Sequence, residues 1–421
     1  MTLLTAVRAP TATSRRYLAA GTFVLLGVLD IAPFGVNARA GDAVFALTAG
    51  SGVNVPSIHV AAGPACFVLG AICIATGLWR AVSDPAPGVR RLTIGVALLT
   101  FVLALLCWAD AANSVGPLNV ILLLQGTMLA AIPLVLGALS GCLCERSGVI
   151  NIAIEGQLIC GAFAGAAFAS LLGDWGGVVG GCLAGGLVGA LLAVFAIKYR
   201  VDQVILGVVI TTLGLGLTEY LYDRVMAPYS NTLNTGNFFG TLKIPLLGDI
   251  PIIGPILFDS SIFLYFTYAL IILIQVGLFY TRWGLRVRAV GEHPIAADTV
   301  GIKVFWTRYR NVILGGMVAG LGGAYLTVGS VGTFTPGMSN GFGYIGLAAM
   351  IFGRWTPLGS VGAALLFGFS KQLGYVLGLL NVPVPAQILA MTPYVATILA
   401  VAGLVGRVRP PAADGKPYIK A

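Results

Sequence analysis

Long runs of apolar residues, separated by short polar joints, dominate the chain. Twelve runs approach the ~20 residues that a helix needs to cross a bilayer: 17–36, 58–79, 92–109, 118–139, 154–172, 177–197, 204–222, 262–280, 312–329, 344–353, 358–380 and 387–405. The run at 344–353 is short alone and draws on the glycine-rich residues before it, so the count is open by about one. A backbone in lipid must satisfy its own N–H and C=O groups, which makes such runs helices rather than open strands. The pattern predicts an all-α polytopic membrane protein with about 12 transmembrane helices.

Composition removes the soluble alternatives. Of 421 residues, 58% are hydrophobic and 9% charged, against about 25% charged in an average soluble domain. The 58 glycines suit closely packed membrane helices. A net charge of +9 would suggest nucleic-acid binding in a soluble protein, but its distribution has a topological cause. With the N-terminus inside, twenty of the 24 Lys and Arg residues fall in inner joints, only Arg39, Arg224 and Lys243 fall outside, and Lys371 lies within a run. This bias predicts both termini in the cytoplasm. The seven cysteines are odd in number, lie mostly in apolar runs and have no zinc-type spacing, so they read as buried thiols.

The N-terminal Ser14-Arg15-Arg16-Tyr17-Leu18 superficially matches a twin-arginine signal. Asp30 and Pro33 interrupt the following apolar stretch, which favours an uncleaved first helix. The proline-containing joint at 83–88 is the one internal boundary suggested, and the longest outer loop spans about 225–261. The tail beyond Arg409 is short and polar and predicts no fixed structure.

Glycine content produces two chance matches to catalytic motifs. Residues 337–341 fit G-x-S-x-G, but no strand-turn-helix context or histidine partner accompanies Ser339. Residues 341–346 fit a dinucleotide fingerprint with no βαβ unit around it. No catalytic residue and no metal site is expected. The phosphate-binding G-x-x-x-x-G-K-[ST] loop is also absent, so an ATP-driven reading requires another subunit to carry ATP and Mg²⁺.

Two segments carry candidate function. TRWGLRVRAVGEHPIAADTVGIKVFWTRYR (281–310) places Pro294 to start a short helix and Gly301 to end it. It is either an ordinary topogenic loop or a docking helix whose small Ala296, Ala297 and Gly301 admit a partner's groove. The junction at 145–157 has almost no aqueous loop, which puts Asn151, Glu155 and Gln157 at the membrane boundary. Ionisable groups there either mark a polar path or tie helix ends together. Glu219 and Lys371 are further charges within runs, placed to pair with each other or to line a cavity. Both halves also contain an apolar stretch interrupted by Gly and polar residues, at 141–157 and 329–344, a pattern that points to a transporter's central site. The candidate substrate-pathway residues are Asn151, Glu155, Gln157, Glu219, Phe342 and Tyr344.

GALSGCLCERSGVINIAIEGQ (137–157), the loop at 281–302 and GLGGAYLTVGSVGTFTPGMSNGFGYIGLAAMIFGRWTPLGSVGAALLFGF (320–369) closely resemble permease subunits of bacterial ABC importers of the branched-chain amino acid and simple-sugar class. Within that class the nucleoside-uptake branch is the nearest match, over roughly 118–405. The first ninety or so residues, with two extra spans, resemble the longer permeases of actinobacteria. The resemblance implies a ten-helix type II importer core like the vitamin-B12 permease over 92–409, preceded by two helices and a linker in 1–91 and followed by a cytoplasmic tail at 410–421. It also implies a second permease subunit, a cytoplasmic ABC ATPase holding ATP and Mg²⁺, and an extracellular substrate-binding lipoprotein. By the same resemblance 281–310 is the coupling segment, with Glu292, Ala296, Ala297, Asp298 and Gly301 as ATPase contacts. The expected protein is a non-enzymatic permease for nucleosides or related ribosides in the bacterial cell membrane, working by alternating access. The alternatives are an ABC permease for a simple sugar, or an ion-coupled secondary transporter or channel.

Overall fold

Lipid offers no partner to a backbone amide, and most of the described apolar residues are accordingly helical. The computed structural model describes residues 12–36, 41–48, 55–83, 85–111, 116–236, 238–380, 382, 384, 385, 387, 388, 391 and 409–420. The chain divides into two compact units, Met1–Leu123 with Gly374–Ala390, and Leu124–Leu373 with Met391–Ala421.

In the first unit α1 (Ala12–Leu29) continues as a π-helical turn to Val36 around Pro33, whose missing N–H interrupts regular bonding. Then come β1 (Asp42–Ala46), β2 (Ile58–Ala61), α2 (Ala62–Val82), α3 (Pro87–Ala111) and β3 (Leu118–Asn119). Helix α2 packs against both α1 and α3. The Cys73 thiol donates to Phe23 O (3.3 Å), and the Cys66 thiol donates to Ala104 O (3.4 Å). Strand β1 pairs antiparallel with β2 and parallel with β3. Asp110 ties this sheet to α3 by accepting from Val44 N (2.6 Å) and Leu118 N (3.0 Å). The third apolar run therefore packs with the first two, and the units divide at Leu123 rather than at the 83–88 joint.

The second unit is entered by α4 (Val120–Glu145), followed by α5 (Ile154–Leu172), α6 (Asp174–Ala193) and α7 (Gln203–Leu221). The loop after α7 contains α8 (Ser230–Leu233), β4 (Thr241–Lys243), α9 (Ile253–Leu257) and β5 (Asp259–Ser261), with β4 and β5 paired antiparallel. Helices α10 (Ile262–Tyr280), α11 (Arg282–Glu292), α12 (Pro294–Thr299), α13 (Val304–Leu326), α14 (Phe342–Phe352) and α15 (Pro357–Leu379) complete the order.

Glycines set the centre of this unit. Helices α5, α6 and α13 pack against one another. Gly320 lies so near α6 that a Cβ on it would overlap Gly181 O and sit 2.8 Å from Gly185 Cα. Such close backbone approach is how membrane helices gain van der Waals contact when lipid tails are as apolar as their own side chains.

Ten of the described helices are long and apolar enough to cross a membrane, so the protein is a polytopic, mostly helical membrane protein. The run at 344–353 corresponds to α14, whose 11 residues span about 16 Å at ~1.5 Å per residue, half of a ~30 Å hydrocarbon core. The run at 387–405 lies almost wholly outside the described residues. The tail corrects an expectation. Residues 409–420 are packed against the unit, because Ala413 and Tyr418 bury apolar surface and the backbone finds partners there.

Gly320→Val should drive α13 off α6 and lower the thermal midpoint of the purified protein, at a cost of about 3 kcal/mol or more by analogy with overpacked cores. Gly216→Val, at a glycine with open space around it, should leave the midpoint nearly unchanged.

Candidate functional site

The two interrupted stretches meet in the folded chain. Between α4 and α5 the backbone leaves the helix, and its polar groups are met by side chains. Asn151 Nδ2 donates to Gln157 Oε1 (3.1 Å) and Ser140 Oγ (3.2 Å), and Gln157 Nε2 donates back to Asn151 Oδ1 (3.4 Å). Ile150 N donates to Gln203 Oε1 at the start of α7 (2.8 Å). Asn151 and Gln157 are fully buried, as the cost of unpaired polar groups in a dry interior demands. Their amides face one another and the adjacent serine, which makes them a brace across the break.

Glu155, in the first turn of α5, reaches the other interruption. Its Oε1 accepts from Gly341 N (2.8 Å) and its Oε2 from Gly343 N (2.6 Å). These amides belong to the start of α14, whose first turn has no earlier carbonyl to bond. The carboxylate therefore caps the helix and meets the positive end of its dipole. Glycine is needed on both sides of this contact. Gly341 takes φ +79°, and a Cβ on Gly343 would collide with the Glu155 backbone. Lys371 on α15 completes the arrangement, with Nζ 3.4 Å from the Phe342 ring centroid and its charge facing Glu155. Lys371 is thus placed with Glu155 and Phe342 and not with Glu219, which lies exposed on α7.

The turn before α14 leaves an open polar surface. Thr335, Pro336, Gly337 and Asn340 are exposed, and Tyr344 is 45% exposed on the first turn of the helix. Ser339 of the chance nucleophile motif is fully buried in the same turn. The N-terminus of α14 that mimicked a phosphate-binding fingerprint is filled by Glu155.

The second candidate segment lies at one end of this unit. Thr281 caps α11 through Gly284 N (3.2 Å), and α12 runs from Pro294 to Thr299 with Gly301 at φ +84°. Ala297 turns inward. It is 3% exposed and packs with Val290, Val304 and Tyr418, so its side chain is not on the outer face of α12. The outer face is Ile295 (68% exposed), Ala296, Thr299 and Val300 (75%). Glu292 is exposed but accepts from Ala412 N (3.1 Å), and Asp298 hydrogen-bonds Tyr418. Gly291 abuts Arg146 O so closely that no Cβ fits, which seats the α11–α12 corner on the α4–α5 turn. That turn is held in its own way: Glu145 accepts from Trp355 Nε1, and Arg146 Nε donates to Trp355 O (2.8 Å).

Several of these partners leave no mark in a linear reading. Trp355, Arg308 and Tyr418 do structural work here, and their one sequence signal is a lone aromatic or charge in a context of opposite polarity. Burial pushes the Asp414 carboxyl up from 3.8 to about 7, where it hydrogen-bonds the carboxyl of Glu145 with Arg308 beside it.

Glu155→Ala should uncap α14 and leave the buried Lys371 ammonium without its counter-charge, lowering stability by about 3 kcal/mol or more, read as a reduced thermal midpoint in detergent. Seating of the tail should depend on pH. Asp414 binds its proton more tightly when docked than when free, so the docking contribution is complete below about pH 4 and is lost as pH rises through about 7. Chymotrypsin cleavage after Tyr418, which is buried when the tail is seated, should accordingly be slower at about pH 6 than at about pH 8.5 relative to a free peptide of the same sequence at each pH.

Residues 123–405 match the family described as "Branched-chain amino acid transport system / permease component". Over 312 residues the chain is 40% identical to the guanosine ABC transporter permease protein NupQ of Bacillus subtilis, covering 71% of this chain and 97% of that one. It is 36% identical over 325 residues to the nucleoside ABC transporter permease protein NupC of Lactococcus lactis, covering 73% and 99%. A putative glucose ABC transporter permease protein of Haloferax volcanii, TsgC13, is 32% identical over 299 residues, covering 66% and 89%. No solved structure matches the chain.

Proposed function

The chain belongs to the permease-component family of the branched-chain amino acid transport system, and from that premise we propose that it is the membrane subunit of an ATP-driven importer of nucleosides. The observation that carries the substrate class is the 40% identity to a guanosine permease along 97% of that protein's length. The glucose relatives stand lower, at 32% and 28%, which favours nucleosides over simple sugars.

In this reading the chain performs no covalent chemistry. Its core is of the type II importer kind and pairs with a second permease subunit. A cytoplasmic ABC ATPase supplies ATP hydrolysis with Mg²⁺, and an extracellular lipoprotein delivers the substrate. The excess of Lys and Arg in alternate joints supports cytoplasmic termini and a cytoplasmic 281–310 segment. The outer face of α12 then meets the ATPase.

For the substrate pathway we assign the open turn before α14 rather than the brace behind it. A nucleoside is uncharged and presents hydroxyls and a flat base. Thr335 and Asn340 offer neutral hydrogen-bonding groups, and Tyr344 offers a ring on which a base stacks. Asn151, Gln157 and Glu155 have their polar atoms committed to one another or to backbone, and Phe342 is covered by Lys371.

Cells carrying the importer should take up labelled guanosine and lose uptake on deletion of this chain; undiminished uptake, or uptake of glucose alone, would overturn the reading. Tyr344→Ala should raise the apparent KM roughly tenfold with normal membrane levels, the loss expected from one stacking contact of ~1–3 kcal/mol. For topology, an impermeant thiol reagent on intact cells should label Ser230→Cys and spare Thr299→Cys.

A further inference from the structure

The polar composition of the tail predicts no fixed structure, yet residues 409–420 are woven into the corner that holds α12. Pro411 and Ala413 are buried, and Ala413 N donates to Gly291 O (2.9 Å) at the end of α11. The next contact fixes the far side, where Arg308 Nη1 donates to Lys416 O (3.0 Å). Arg308 is 1% exposed, so a fully buried guanidinium spends a donor on this segment. Between these points the chain turns tightly, with Lys416 N bonded to Ala413 O (3.2 Å) and Gly415 at φ +73° against Ile150. The Tyr418 ring then closes over α12. It packs with Val290, Ala297 and Val304, lies 5.2 Å from the Phe305 ring, and places its hydroxyl at Asp298.

A six-residue helix lacks the length to hold its own shape. The inward face of α12 is a single small side chain, Ala297, and the apolar body that fills the space beneath it comes from Tyr418. The segment therefore supplies packing that α12 cannot provide for itself. It also adds exposed apolar surface next to that ring, since Ile419 is 62% exposed, as are Ile295 and Val300 on α12.

We propose that residues 409–420 are a positioning strap of the coupling platform, which fixes α12 as a rigid body and joins it in a composite surface for the ATPase subunit. The proposal rests on the importer function assigned above. It assigns Tyr418 and Arg308 as positioning residues that act through α12, and Ile419 as a direct contact of the partner.

The test compares full-length permease, a chain ending at Val408, and Tyr418→Ala, Tyr418→Phe and Ile419→Asp variants, each assembled with the ATPase in vesicles. Measured are permease level, ATPase bound per permease, and hydrolysis stimulated by guanosine-loaded binding protein per bound ATPase. Truncation and Tyr418→Ala should leave permease level near normal and cut stimulated hydrolysis per bound ATPase about fivefold or more, the range of an ordinary coupling energy. Tyr418→Phe keeps the ring and should retain coupling. Ile419→Asp should weaken ATPase binding while leaving the strap seated. A strap that merely stabilised the fold would lower the amount of permease without changing stimulation per bound ATPase, and that result overturns the proposal, as does full coupling in the truncated chain. If truncation prevents accumulation, Tyr418→Ala alone decides by the same ratio. A full-length chain that recruits no ATPase would overturn the importer reading itself, which separates the two failures.

Discussion

The carboxylate of Glu155 on the amides of Gly341 and Gly343 is the contact around which the second unit is organised. A helix that begins inside a hydrocarbon layer leaves several N–H groups without carbonyls, each costing several kcal/mol if unmet (~2–7 by transfer). A carboxylate from a neighbouring helix supplies two acceptors at once and a charge matched to the dipole. The carboxylate is itself stabilised by those amides and by the Lys371 ammonium, so each partner removes the burial cost of the others. This arrangement permits the chain to break twice between apolar helices and to leave a polar turn uncovered by the protein before α14.

From that contact the structure extends in both directions through close backbone contacts and side-chain braces. On one side Glu155 follows the Asn151–Gln157 brace and the Glu145–Arg146 turn, and the turn carries the Gly291 corner of α11 and α12. On the other, α14 leads through Arg354 and Trp355, both at positive φ, to α15, with Trp355 bonded back to Glu145. The α4–α5 break is thus tied to both ends of α14, at Gly341 and Gly343 before it and at Trp355 after it. Packed elements thus run without a gap from the α11–α12 corner to the open turn before α14.

The broad outline was legible because lipid is a demanding solvent. Long apolar runs and Pro294 with Gly301 carry their meaning in one dimension, and the short helix lies between those two residues. What one dimension leaves out is pairing. Glu155 and Asn151 stood out as costly groups at a boundary, but nothing in their spacing said that Glu155 faces glycine amides 186 and 188 residues away. Lys371 offered Glu219 as a partner on equal terms until α7 turned that residue outward. Ala297 read as an outer contact because its smallness suits a groove, and the same smallness lets it pack beneath Tyr418. The tail looked disordered because its composition is polar. Its order comes from a few well-placed groups, which composition averages away.

Charge balance gives the site its character. The carboxylate and ammonium nearest the open turn among the described residues face each other and are further engaged by amides and a ring. The proposed solute is neutral, so its recognition calls for hydrogen-bonding groups and flat apolar surface more than for a fixed charge. The surface left uncovered is hydroxyl, amide and phenol. Each can exchange a hydrogen bond with water for one with a ribose or a base at small net free energy, about 1 kcal/mol per bond. Small steps suit transport, because a site that must release its cargo on the far side is poorly served by deep binding. The ionic chemistry in this unit thus maintains the break, and under the proposed function the neutral groups that the break exposes meet the solute.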